Sequence, residues 1–129
     1  MKVKLENVLH LYDAVNFLYE KDLDGGVLHR LYDFRIDLEK ESKFAEGERN
    51  KLINKYAPKD KDGNVVYANG VINVAPENMD KFYEEWGKIL SLDCDIKKLD
   101  MTVKELDGLG SMKGTHYKVL RDFIERGNK

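Results

Sequence analysis

Cysteine is almost absent from this chain: Cys94 stands alone among 129 residues. No disulfide can close within the chain, and zinc sites built from paired or fourfold cysteines are excluded. A reducing compartment fits this usage. Neither sign of charge dominates, with 22 Lys and Arg against 24 Asp and Glu. A broad electrostatic grip on nucleic acid is therefore not expected, although a local patch is compatible with the balance. No run of about 18 uncharged apolar residues occurs, so no membrane-spanning helix is expected. Glu6 and Asp13 interrupt the apolar N-terminal stretch and argue against a signal peptide. Two prolines, 42% hydrophobic and 36% charged residues describe a globular chain with a heavily solvated surface. The expectation is one cytoplasmic domain over residues 1–129.

The hydrophobic pattern predicts α+β: about four helices, one of them long, and a small antiparallel sheet containing a β-hairpin at 64–75. Val3 and Leu5 alternate with lysines in a short strand. Asn7 is a candidate cap for a first helix, whose stripe is Val8, Leu11, Val15 and Leu18 and which Asp22 through Gly26 should end. The long helix is expected from Val27 to Tyr56, ahead of Pro58. Val27, Leu31, Phe34, Leu38, Ala45, Leu52 and Tyr56 make its core stripe, interrupted by Arg35, Ser42 and Arg49. Asn69-Gly70, between valine-rich arms, suits a two-residue hairpin turn because both residues tolerate positive φ. Asp62-Gly63 supplies a turn before it, and Pro76 opens a third helix with Met79, Phe82, Trp86 and Ile89 inward. Leu92, Cys94 and Ile96 alternate as a strand, making Cys94 a small core residue rather than a nucleophile. Thr102 and Glu105 match a capping box, and Tyr117, Leu120, Phe123 and Ile124 mark a last helix.

Several motifs approach chemistry and miss it. In "DGLGSMKGT" Lys113 precedes Gly114, the reverse of a phosphate-binding loop, and the third glycine of a dinucleotide fingerprint is replaced by Lys113. In "DKDGN" the glycine and glutamate of a calcium loop are replaced by Val65 and Val71. His10, His29 and His116 are dispersed, with no His-x-x-x-His pair. No cofactor and no metal is expected, and catalytic residues are not assigned.

Two features remain as candidate contact sites. The turn at 106–114 resembles a helix-hairpin-helix, with Gly108, Leu109, Gly110 and Gly114 in place. That resemblance implies backbone N–H groups offered to a DNA phosphate, with Lys113, Lys118 and Arg121 adding charge. An ordinary interhelical turn explains the same glycines and is preferred. The second feature is the far side of the long helix. Tyr32 and Ile36 lie about 100° and 140° from Leu31 around a 3.6-residue helix, and Phe44 about 220°. These side chains either form a second layer of core or anchor a protein partner. The core reading is preferred for Tyr32 and Ile36, since small domains use most of their apolar residues.

The order "MKVKLENV", "AVNFL", "KLINKYAPKDKDGN", "MDKFYEEWGKIL" and "LDCDI" resembles a family of small uncharacterised proteins encoded by tailed phages and prophages of Gram-positive bacteria. The resemblance runs over roughly residues 1–97. It implies a phage origin and a nonenzymatic accessory role through binding of a host or phage protein, and it brings no catalytic residues. Nucleic-acid binding through the glycine turn is the alternative.

Overall fold

The computed structural model describes residues 1–128. The architecture is mostly helical with one small antiparallel sheet. Strand β1 (Lys2–Lys4) pairs with β2 (Asp93–Asp95), placing Val3 opposite Cys94. Helices α1 (Leu5–Tyr19), α2 (Gly25–Tyr56), α3 (Met79–Leu90), α4 (Val103–Asp107) and α5 (Gly114–Gly127) complete the set, with a 3-10 turn at Pro76–Asn78 leading into α3. The described residues thus form five helices rather than about four.

The chain divides into two compact units. The first comprises Met1–Ser42 and the chain from Asp93 onward; the second is Lys43–Leu92. Helix α2 gives its first part to one and its later part to the other.

The first unit holds most of the buried apolar side chains. Val8, Leu11, Val15 and Leu18 line α1 at the predicted spacing, and Leu31, Phe34 and Leu38 line the first part of α2. Phe34 meets Phe123 of α5 with ring centroids 5.3 Å apart. Leu106, Leu120 and Ile124 close the layer. Arg35, which interrupts the α2 stripe, donates to Asn16 Oδ1 at 2.6 Å. Its guanidinium lies over the rings of Tyr12 and Tyr19 at 5.5 and 5.4 Å. The charged head is therefore partnered on α1 while its stem continues the apolar stripe.

Helix boundaries differ from the sequence reading in two places. Helix α1 starts directly after β1, with Lys4 rather than Asn7 at its N-cap. Gly25 and Gly26 begin α2 instead of ending α1, because the Asp24 carboxylate accepts from the Gly26 N–H at 2.6 Å and caps the new helix. The capping box at Thr102 is complete: Thr102 Oγ1 accepts from the Glu105 N–H at 3.1 Å and Glu105 Oε1 accepts from the Thr102 N–H at 3.1 Å.

The second unit is thinly cored. Its buried apolar residues are Ala45, Leu52, Ala57, Ala75 and Phe82. On α3 Phe82 is buried, while Met79, Trp86 and Ile89 are half-buried. The Asn69-Gly70 turn forms as expected, with φ of 52° and 76° and reciprocal hydrogen bonds between Ala68 and Val71 at 2.9 and 3.0 Å. The hairpin at 64–75 stops there, and it contributes no strand to the sheet. The reason lies upstream. Asp60 Oδ1 accepts from the N–H groups of Asp62 and Asn64, both at 2.9 Å, and folds the 60–64 loop back. The Val66 N–H then donates to the Pro58 carbonyl at 2.8 Å, so the first arm pairs with 58–60 instead of with the second arm.

Candidate functional site

Tyr32 and Ile36 sit one turn apart on the part of α2 that belongs to the first unit, and neither is core. Tyr32 is 45% exposed and Ile36 47%. The preferred core reading therefore fails: the stripe of Leu31, Phe34 and Leu38 takes the buried side, and Tyr32 and Ile36 stay exposed. The rings of His29 and Tyr32 lie 6.5 Å apart and extend the exposed surface by one turn. Asp33 lies 3.9 Å from His29 Nδ1 at its margin. The result is an aromatic and an aliphatic side chain, flanked by polar groups, on a rigid helix. Phe44 is also exposed, but it lies in the second unit.

The glycine turn sits between α4 and α5, as a helix-hairpin-helix requires. Gly108 has right-handed geometry and closes α4, whereas Gly110 has φ of +93° and needs glycine. Lys21 reaches across to this turn, donating to the carbonyl oxygens of Leu109 and Ser111. The proposed cations are largely engaged by their own helix. Lys118 pairs with Asp122 at 2.9 Å, and Arg121 with Glu125 at 2.8 Å. Arg121 also donates to the Tyr117 hydroxyl at 3.2 Å, and that hydroxyl donates to Asp107 at 2.6 Å. Asp107 holds the Tyr117 hydroxyl above its ordinary pKa. Lys113 precedes α5 on the surface. The arrangement can brace two helices, and it pairs two of the three proposed cations with carboxylates.

One juxtaposition is invisible in the sequence. His10 of α1 and His116 of α5 line one open cleft of about 540 Å³, together with Asp13, Lys118 and Asp122. His116 packs on Phe17 with centroids 5.4 Å apart, and its Nδ1 is buried without a hydrogen-bond partner among the described residues. Among the described residues no three His, Cys, Asp or Glu side chains are placed to hold a metal ion. His29 stays apart on α2. That His10 and His116 line one cleft follows from packing of α1 against α5, and no local spacing announces it.

Cys94 is buried, with its thiol 3.6 Å from Glu41 Oε2. Burial, reinforced by the Glu41 carboxylate, pushes the thiol up to about 11. Such a thiol is a poor nucleophile. In the second unit Lys55 donates to Glu85 Oε1 at 3.0 Å and lies over the Tyr56 ring at 5.2 Å. No helix among the described residues is long and apolar enough to cross a membrane. No family model, no curated protein and no solved structure matches this chain.

Proposed function

We propose that this chain is a small phage-encoded accessory protein that works by binding another protein in the cytoplasm of a bacterial host, without catalysing a reaction. Its target is a host factor, such as a component of a defence system, or a component of the assembling virion. The observation that carries the reading is the exposed Tyr32 and Ile36 pair on α2. Aromatic side chains on a preformed rigid element make efficient anchors because little conformational freedom is lost when they are covered. Nucleic-acid binding through Gly108 and Gly110 has weaker support, because Lys118 and Arg121 are already paired with carboxylates.

The test begins with a photo-crosslinking residue at position 32 or 36 in cells carrying the full chain, followed by identification of the adduct. The identified protein is then purified and titrated against the wild type and a Tyr32→Ser, Ile36→Gln double variant. Loss of at least about tenfold in affinity, the equivalent of 1.4 kcal/mol, is expected with unchanged melting. Equal affinity of the double variant, or adducts no more frequent than from exposed control positions, would overturn the reading.

A further inference from the structure

Asn69 is the one asparagine of the chain that is followed by glycine. Asn64 and Asn73, exposed in the same segment, are each followed by valine. Asn69 and Gly70 form the tip of the two-residue turn, and both are exposed. Nothing lies within 4 Å of the place where a Gly70 Cβ would stand. Among the described residues neither the Gly70 N–H nor the Asn69 side chain has a hydrogen-bond partner. The main-chain nitrogen and the side-chain amide carbon that it could attack are therefore both unengaged and open to solvent.

We propose that Asn69 is a site of spontaneous covalent modification: it converts by deamidation to isoaspartate and aspartate, and the isoaspartate releases the turn. A solvent base takes the proton of the Gly70 amide, and the nitrogen attacks Cγ of Asn69. A C–N bond forms and closes a five-membered succinimide ring. The bond from Cγ to the side-chain nitrogen breaks, and that nitrogen takes up a proton and leaves as ammonia. Water then adds to one ring carbonyl and reopens the ring. Cleavage at Cγ gives aspartate, and cleavage at the main-chain carbonyl gives isoaspartate. One water is consumed, one ammonia is released, and nothing is oxidised or reduced.

Glycine leaves the attacking nitrogen without a side chain beside it, whereas the branched valines after Asn64 and Asn73 crowd theirs. Ring closure needs rotation about the Asn69 Cα–C bond, out of the geometry that the turn imposes. Only the two hydrogen bonds between Ala68 and Val71 resist that rotation, and they form an isolated bridge with no strand beyond. Such a turn opens locally, with neither unit unfolding. Both products put a carboxylate into the stretch from Gly63 to Ala75, which holds no charged residue. Isoaspartate also routes the main chain through Cβ and Cγ, one atom longer, so a two-residue turn can no longer close both bonds. The reaction needs no partner and is independent of the Tyr32 surface.

The full chain is incubated in mildly alkaline buffer at 37 °C, sampled over weeks, digested in mild acid and mapped by mass spectrometry. Asn69 is expected to gain the mass difference between amide and carboxylate at least about tenfold faster than Asn64 or Asn73, because only its successor lacks a side chain. Its product should separate into two isomers, and the rate should rise with hydroxide concentration. Amide exchange at Ala68 and Val71, resolved by NMR in the aged sample, should be about tenfold faster in the isoaspartate form. Freshly prepared Asn69→Asp carries the charge without the extra atom and should exchange as the wild type does. Conversion at Asn69 no faster than at Asn64 and Asn73 overturns the proposal. So does an isoaspartate form whose Ala68 and Val71 amides exchange no faster than those of Asn69→Asp.

Discussion

The two units carry a similar share of apolar residues and hold together differently. In the first, side chains from α1, α2 and α5 bury one another, and phenylalanine meets phenylalanine at Phe34 and Phe123. In the second, three of the five buried apolar residues are alanines, while Phe44, Val66, Tyr67, Val71, Tyr83 and Leu92 are exposed. Burial scales with the apolar area removed from water, and an alanine removes little. The second unit therefore leans on backbone capture: the Asp60 loop, the Pro58 to Val66 bond and the Asn69-Gly70 turn. A core made of large side chains resists opening as a whole, whereas a scaffold of turns opens piecemeal.

The largest effect that can break this contrast comes from the aromatic cores. Phe34→Ala should cost roughly 3–5 kcal/mol in chemical denaturation, because it leaves a cavity among fully buried neighbours. Phe82→Ala should cost no more than about 2 kcal/mol, since the side chains around it on α3 are only half-buried. Equal losses would mean that the second unit is as tightly packed as the first. Next in size is Gly70→Val, which forces a β-branched residue to a φ of 76°. A loss of about 1–2 kcal/mol is expected, read as faster amide exchange at Ala68 and Val71. An unchanged exchange rate would show that the turn does not organise its surroundings.

A pH titration sharpens the contrast from the side of the first unit. Arg30, donating to Glu105 Oε2 at 2.6 Å, holds that carboxyl down at about 2, against an ordinary value of 4.5. A depressed folded value means that the stabilisation is present above the unfolded pKa and is lost as pH falls through the folded one. Acid should therefore weaken the first unit between about 4.5 and about 2. Glu105→Gln should flatten that part of the stability profile, as followed by the melting temperature at successive pH values. A profile identical to wild type would remove the Arg30 pair from the account. The smallest effect belongs to Tyr32→Ser with Ile36→Gln, where melting should move by no more than about 0.5 kcal/mol per site. A larger loss would return these residues to the core.

The sequence made legible whatever depends on residues near one another along the chain. The α1 stripe, the β1 alternation, the Thr102 capping box and the positive φ pair at Asn69-Gly70 all follow from local spacing. The length of the hairpin did not follow, because Asp60 redirects Val66 to another partner. The exposure of Tyr32 and Ile36 was equally hidden, since a helix does not state whether its second side has a neighbour. The shared cleft of His10 and His116 was hidden for the same reason: it depends on how α1 and α5 pack.

The lone cysteine gives the molecule a clock. Cys94 is 7% exposed and lies on β2 opposite Val3, inside the well-packed unit. Little of it is open to a thiol-reactive dye in the closed structure, and its raised pKa keeps the reactive thiolate scarce. Reaction must wait for the strand pair to part. Where the dye reacts faster than the sheet recloses, the labelling rate counts openings of this sheet one by one, with no engineered probe and no second thiol to confuse the signal.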